Sequence, residues 1–177
     1  MSNSVEMPYY GRVKVSGGKN PRNLYPHQRE AIKYLNEINK SRSFSTLLVI
    51  PTGGGKTLTA VWWLLKAALD KDVKILWIAH RHLLLDQAAF TFQNNAYSDI
   101  MTDISSFKYR IVSGVHDKAV NIEESDNLLI AGKDSIVRNL NYLDNWLKNE
   151  KEIYLIIDEA HHAAAKSYRK IIEYVLD

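Results

Sequence analysis

Short aliphatic runs alternate with amphipathic helical segments through most of this chain. The runs expected to form strands are Thr46–Ile50, Lys74–Ala79, Tyr109–Ser113, Leu128–Ala131 and Ile153–Ile157. Helices are expected from Pro26, from Lys56, around Leu84–Phe92, from Asp134 and over Lys166–Leu176, because apolar residues recur there at helical spacing. Strands that alternate with helices form βαβ units, in which a mostly parallel sheet lies between layers of helices. The sequence therefore predicts an α/β fold.

The composition fits a single globular domain. A chain of 177 residues with 46% hydrophobic and 24% charged residues can bury a substantial core. No apolar run is long enough to cross a bilayer, and the N-terminus lacks the apolar stretch of a signal peptide. The absence of cysteine excludes disulfides and thiolate metal sites and is compatible with a cytoplasmic location. We expect residues 1–20 to form an arm or edge extension and residues 21–177 to form the domain.

A glycine-rich loop lies between the predicted strand Thr46–Ile50 and the helix expected from Lys56. It reads Pro51-Thr52-Gly53-Gly54-Gly55-Lys56-Thr57. Glycines let successive backbone N–H groups turn toward a phosphate, and the start of the helix adds partial positive charge there. Lys56 can reach the β- and γ-phosphates, and the Thr57 hydroxyl can ligate Mg²⁺. The strict phosphate-loop pattern has a glycine where this chain has Ile50, so an ordinary turn between strand and helix stays an alternative.

Two adjacent carboxylates follow the most apolar predicted strand. Asp158 and Glu159 come directly after Ile153–Ile157, and ligands of parallel sheets bind at the carboxyl ends of the strands. Asp158 is a candidate for holding Mg²⁺, and Glu159 is a candidate for polarising the attacking water. The alternative is a strand that ends in charge because it reaches solvent. A metal site at His161 and His162 is disfavoured, because adjacent side chains point apart and no further ligand is evident.

These segments occur in the order found in superfamily 2 helicases, over about residues 22–165. Pro51–Thr57 resembles motif I of that group, which does not need a glycine at the position of Ile50, and Asp158-Glu159-Ala160-His161 resembles the DEAH form of motif II. Leu24–Gln28 is similar to the upstream adenine-reading element, although Tyr25 stands where an arginine is usual. The resemblance implies a three-layer, RecA-like P-loop NTPase domain that uses ATP and Mg²⁺. It assigns the nucleotide to Gln28, Thr52, Gly53, Gly54, Gly55, Lys56 and Thr57, the metal to Thr57 and Asp158, and catalysis to Lys56, Asp158, Glu159 and His161.

Two further segments are similar to the nucleic-acid-contacting motifs of the same group. Ile75–Gln87, with Ala79-His80-Arg81 after its strand, is similar to motif Ia, and Leu129–Ile136 is similar to the motif that follows. The resemblance implies that Arg81 and Lys133 bind nucleic-acid phosphates; without it, solvated surface charge is the simpler interpretation. The segments around Arg81 and Asp158 look most like the helicase (Res) subunit of type III restriction enzymes, which favours DNA over RNA as the partner.

The resemblance also implies parts that this chain does not contain. In the family, a further motif follows motif II, and a second RecA-like domain supplies arginine side chains to the nucleotide. We therefore expect a first motor domain that binds ATP but hydrolyses it poorly, in a protein that works with a nuclease or methyltransferase subunit. The alternative is a non-catalytic nucleic-acid- or partner-binding module that holds ATP as a structural ligand. The presence of both Lys56 and Glu159 disfavours it, since a degenerate site would be expected to lose one.

Overall fold

Five strands form one sheet at the centre of the computed structural model, which describes residues 7–176. They are β1 (Tyr10–Lys14), β2 (Lys74–Ala79), β3 (Ser106–Val112), β4 (Leu128–Gly132) and β5 (Ile153–Ile157). Their order across the sheet is β1-β3-β4-β2-β5. Strands β2 to β5 run parallel, and β1 pairs antiparallel with β3 at one edge. The prediction of a mostly parallel sheet is confirmed.

Helices cover both faces of this sheet. They are α1 (Pro26–Ile38), α2 (Lys56–Ala67), α3 (His82–Asn95), α4 (Lys133–Val137), α5 (Asp144–Leu147) and α6 (Lys166–Leu176). Helices α1 to α3 contribute buried side chains to one core, and α4 to α6 contribute to a second core on the opposite face. The alternation of β2 divides its side chains between these cores, with Trp77 in the first and Ile78 in the second. The fold is therefore a three-layer α/β/α sandwich.

The predicted strand Thr46–Ile50 is wrong as a strand. Within the described residues it pairs with no strand, and Leu47 and Val49 are 67% and 76% exposed. A strand satisfies its backbone N–H and C=O groups only through an adjacent strand. Here a cleft of about 1430 Å³ lies between this segment and β5, and both segments line it. The aliphatic composition is that of a strand, but no strand within residues 7–176 pairs with this segment.

The helix predicted from Asp134 to beyond Leu143 is also wrong as one continuous helix. It is broken into α4, a 3-10 turn over Leu140–Leu143 and α5. At the break, the Asn139 side chain donates a hydrogen bond of 2.7 Å to the Ser135 carbonyl, which would accept the Asn139 backbone N–H in a continuous α-helix. That N–H donates to the Ile136 carbonyl instead, which closes a tighter turn.

Trp63 of α2 belongs to the interior of the domain. Trp63 is buried, and its Nε1 donates a hydrogen bond of 2.9 Å to Asn36 of α1. Its ring meets Phe44 and Tyr154 edge to face. Trp63 therefore forms part of the contact between α1 and α2. Over residues 7–176, no helix has the length and apolar character needed to cross a membrane.

Candidate functional site

The glycine-rich loop makes a sharp turn into α2. Gly53 and Gly55 have φ angles of 79° and 78°, a left-handed conformation that glycine adopts at little cost. The Gly54 N–H donates a hydrogen bond of 2.8 Å to the Pro51 carbonyl. A Cβ on Gly54 would lie 2.9 Å from that same carbonyl oxygen and would overlap Ile50. The backbone therefore requires small residues here, and it leads into a helix whose first N–H groups have no partner within the helix.

Helix α1 is tied to this loop by two side chains. The His27 ring lies 3.0 Å from the Gly54 carbonyl oxygen through Nε2, and Gln28 Nε2 donates to the same oxygen at 3.2 Å. At its other end, Gln28 Oε1 accepts a hydrogen bond of 2.8 Å from the Tyr25 backbone N–H. Gln28 is only 2% exposed. Each of the two Gln28 bonds uses one of the two hydrogen-bonding sites on its atom, so Nε2 keeps a second N–H and Oε1 a second lone pair.

The loop and the acidic strand end face the same cleft. Lys56, Thr57, Asp158, Glu159 and His161 all line it. The Asp158 N–H donates to the Ile78 carbonyl at 2.8 Å, so strand pairing continues one residue beyond β5 and fixes the position of this carboxylate. Thr52 is exposed at the outer turn of the loop. Two motifs that are about a hundred residues apart in the sequence are thus brought together at one edge of the sheet.

Electrostatics at this edge favour a bound cation. Burial raises the pKa of the Asp158 carboxyl, and the neighbouring Glu159 charge adds to the rise, while the positive charge of Lys56 opposes it. Two carboxylates in a half-buried cleft repel one another unless a cation lies between them. Oxygen ligands such as the Thr57 hydroxyl and the Asp158 carboxylate are the kind that Mg²⁺ prefers. These residues therefore fit a magnesium–nucleotide complex.

Glu159 leaves the strand in an uncommon backbone conformation. Its φ of 54° and ψ of 60° are left-handed, which costs a non-glycine residue roughly 1–2 kcal/mol. Its N–H donates 2.9 Å to Asp158 Oδ1. Its carboxylate lies 3.8 Å from the rings of His80 and His162. Partial desolvation and the nearby His161 and His80 rings lower the pKa of His162 from its ordinary value.

The two candidate phosphate-binding cations lie at neighbouring strand ends. Arg81 follows β2 and Lys133 follows β4, and the last residues of these strands, Ala79 and Gly132, are paired. Arg81 is exposed. Lys133 is less available to bind a phosphate, because its Nζ lies 3.1 Å from Asp134 Oδ1 and 5.8 Å from the centre of the Tyr168 ring.

Sequence reasoning did not single out His80 or His27 as site residues. Both lie beside residues that it did select, since His80 precedes Arg81 and His27 precedes Gln28. Neither histidine stands at a spacing from other residues that would mark it as a site residue. Their places in the site follow from contacts between distant segments, the Gly54 carbonyl for His27 and Glu159 for His80.

Comparison with known proteins decides the family. The family model described as the type III restriction enzyme res subunit matches residues 22–177. The chain belongs to this family. The match takes in the loop, the acidic strand end and both candidate phosphate-binding cations, so the chain is a RecA-like domain of the superfamily 2 helicase type.

Individual relatives support this assignment. Dicer-like protein 1 of Neurospora crassa is 28% identical over 144 residues, which are 77% of this chain and 9% of that protein. IRC3 of Saccharomyces cerevisiae, named a candidate ATP-dependent helicase, is 31% identical over 131 residues, which are 71% of this chain and 17% of that protein. This chain therefore spans under a fifth of the length of these curated relatives.

Solved structures of helicases share the fold. The UvsW helicase from bacteriophage T4 has a TM-score of 0.62 at 20% identity, over 92% of this chain and 52% of that one. The DUF1998 helicase MrfA has a TM-score of 0.58 at 21% identity, over 88% of this chain and 25% of that one. At such identities the likeness concerns the fold, and it agrees with the sheet and helix layers described above.

Proposed function

We propose that this chain is the ATP-binding motor domain of a nucleic-acid-dependent ATPase, either a helicase or a DNA translocase of a type III restriction-like system. The observation that carries the proposal is the convergence of Lys56, Thr57, Asp158 and Glu159 on one cleft. Lys56 and the loop backbone bind the phosphates of ATP. Thr57 and Asp158 hold Mg²⁺, which neutralises phosphate charge. Glu159 orients the attacking water.

The phosphates of this nucleotide need positive charge beyond what the loop supplies. In phosphoryl transfer, a missing arginine finger costs about 10³–10⁵ in rate. We propose that a second RecA-like domain of a longer polypeptide supplies these arginines. The isolated chain then binds ATP and hydrolyses it poorly. Nucleic acid, with DNA favoured, lies across the strand ends that carry Arg81 and Lys133, in keeping with family membership.

The open cleft beside β5 supports the proposal that this domain is part of a larger assembly. Strand β5 has a neighbour on one side only, β2, among the described residues. Across the cleft, segment 46–50 presents Leu47 and Val49 to solvent. The unpaired edge of β5 offers backbone N–H and C=O groups to one more strand, and the aliphatic side chains of segment 46–50 would face that strand. We propose that a further aliphatic segment of the longer polypeptide fills this place.

Nucleotide binding tests the proposal directly. Calorimetric titration of the chain with Mg-ADP should give saturable binding of one nucleotide, and Lys56→Ala should abolish it. Lys33→Ala is the matched control, because Lys33 is an exposed lysine on α1 that does not line the cleft. Equal binding by Lys56→Ala and Lys33→Ala would place the nucleotide elsewhere and refute the proposed site.

A further inference from the structure

Three potential metal ligands meet where β2 and β5 end. The Nε2 atoms of His80 and His162 each lie 3.8 Å from the same carboxylate oxygen, Glu159 Oε2. One ligand atom from each of the three residues lies within 4.8 Å of the other two. Sequence reasoning disfavoured a metal site at His161 and His162 for want of a further ligand; the folded chain supplies His80 and Glu159.

The His80 ring is short of hydrogen-bond partners. Its Nδ1 atom is buried and has no partner among the described residues. Its Nε2 atom is 3.8 Å from Glu159, which is too long for a hydrogen bond. The Nε2 atom faces the Glu159 carboxylate, and an ion between these two groups would give Nε2 a partner. The unpaired Nδ1 atom points away from that ion and would not contact it.

We propose that His80, Glu159 and His162 form a binding site for a divalent transition-metal ion of the Zn²⁺ class. Two imidazoles and one carboxylate suit Zn²⁺, whereas Mg²⁺ prefers oxygen ligands alone. Zn²⁺ binds nitrogen and oxygen at about 2.0–2.2 Å, so neighbouring ligand atoms of a tetrahedral site lie roughly 3.3 Å apart. The two distances of 3.8 Å therefore need to close by only about half an ångström each.

His162 is the ligand with room to move toward the ion. His162 is exposed and lies on the short 3-10 turn Ala160–His162, so its ring can rotate toward the ion. His80 is the more fixed ligand, because it follows the fully buried strand β2. Three protein ligands leave the fourth tetrahedral position to water or to a ligand oxygen. The site is thus an open one.

An ion at this place would engage the carboxylate of Glu159. Under the proposed function, on which this one consequence rests, Glu159 orients the attacking water, so the bound metal ion would compete with turnover. Binding of the ion itself depends only on the three side chains. The site would then be inhibitory, and separate from the Mg²⁺ held by Thr57 and Asp158.

Direct metal titration tests this site without reference to ATP turnover. Zn²⁺ is titrated calorimetrically into the 177-residue chain with excess Mg²⁺ present, and Co²⁺ absorption in the visible range reports the coordination geometry. We expect one ion per chain. His80→Ala and His162→Ala should each weaken binding at least about tenfold, the lower end of what the loss of a mere supporting contact costs a metal site. The control is His82→Ala, an exposed histidine two residues from His80, and it should bind like the unaltered chain.

Each result of the Zn²⁺ titration either supports the site or overturns it. His162 is exposed, so His162→Ala should keep the thermal unfolding midpoint of the unaltered chain and remains informative if His80→Ala fails to fold. Weaker binding by His162→Ala than by His82→Ala supports the site. The absence of stoichiometric Zn²⁺ binding, or equal affinity in these two variants, overturns it. Either result leaves the Mg-ADP test of the proposed function unaffected.

Discussion

Replacing Gln28 by alanine tests the link between α1 and the phosphate loop. The Gln28 amide accepts from the Tyr25 N–H at 2.8 Å and donates to the Gly54 carbonyl at 3.2 Å, in a position that is 2% exposed. Each hydrogen bond contributes about 0.5–1.5 kcal/mol net, so losing both should lower the free energy of unfolding by roughly 1–3 kcal/mol. In a domain of this size, a loss of about 2 kcal/mol lowers Tm by roughly 4–8 °C.

Thermal and urea unfolding measure this loss, with Gln93→Ala as the control because Gln93 is an exposed glutamine on α3. If Gln28 also reads adenine, as the family resemblance suggests, Gln28→Ala should in addition narrow the gap between ATP and GTP affinity. A Tm for Gln28→Ala equal to that of Gln93→Ala would refute the claim that this amide anchors the loop. An unchanged preference for ATP would remove Gln28 from base recognition while leaving its structural role in place.

Three further predictions follow from the site and its surroundings. Asp158→Asn should raise the Tm of the nucleotide-free chain at pH values high enough to ionise this carboxyl, because a carboxyl whose folded-state pKa is raised costs stability once it is ionised. An unchanged or lower Tm there would contradict this. Arg81→Ala with Lys133→Ala should reduce the slope of log affinity for single-stranded DNA against log salt concentration by about 0.7 per lost phosphate contact, and an unchanged slope would make them surface charges only. Amide hydrogens on the open edge of β5 should exchange rapidly in this chain and become protected in a longer polypeptide that supplies the proposed strand. The amides of β2 should be protected in both. Rapid exchange of the β5 amides in the longer polypeptide would contradict the proposed insertion.

The elements that could be predicted from sequence are those whose pattern is local. The bounds of β2, β5 and α6 agree with their predicted ranges, because uninterrupted aliphatic runs and clear helical spacing mark them. Segment 46–50 has an equally strand-like composition and is not a strand. Its assignment depends on a neighbouring strand, and composition carries no information about that neighbour.

The break at Asn139 has a different origin. The spacing of apolar residues across it is helical, so periodicity alone predicts one helix. What ends α4 is the competition of one side-chain amide for a backbone carbonyl, which apolar periodicity does not record. Local side-chain chemistry thus overrides the pattern at a single residue.

The candidate site also has parts that could be predicted from sequence and parts that could not. The loop and the acidic pair could be selected from sequence because each is a short contiguous motif after a predicted strand. Lys56 and Asp158 do line one cleft, although segment 46–50, which precedes the loop, is not a strand of the sheet. The approach of His80 and His162 to Glu159 arises from the pairing of β2 with β5 and from the left-handed turn at Glu159, which no local pattern encodes.

The central claim is that this cleft is the ATP site of a motor, with Glu159 as the residue that activates water. The most direct test is Glu159→Gln in the longer polypeptide that includes a second RecA-like domain, with exposed Glu173→Gln as the control. The variant should bind Mg-ATP almost normally, since water activation matters chiefly in the transition state. Its nucleic-acid-stimulated hydrolysis should be at least about a hundredfold slower, the lower end of what the loss of a general base costs. Turnover close to that of Glu173→Gln would contradict the assignment of Glu159 and the account of this site as a motor.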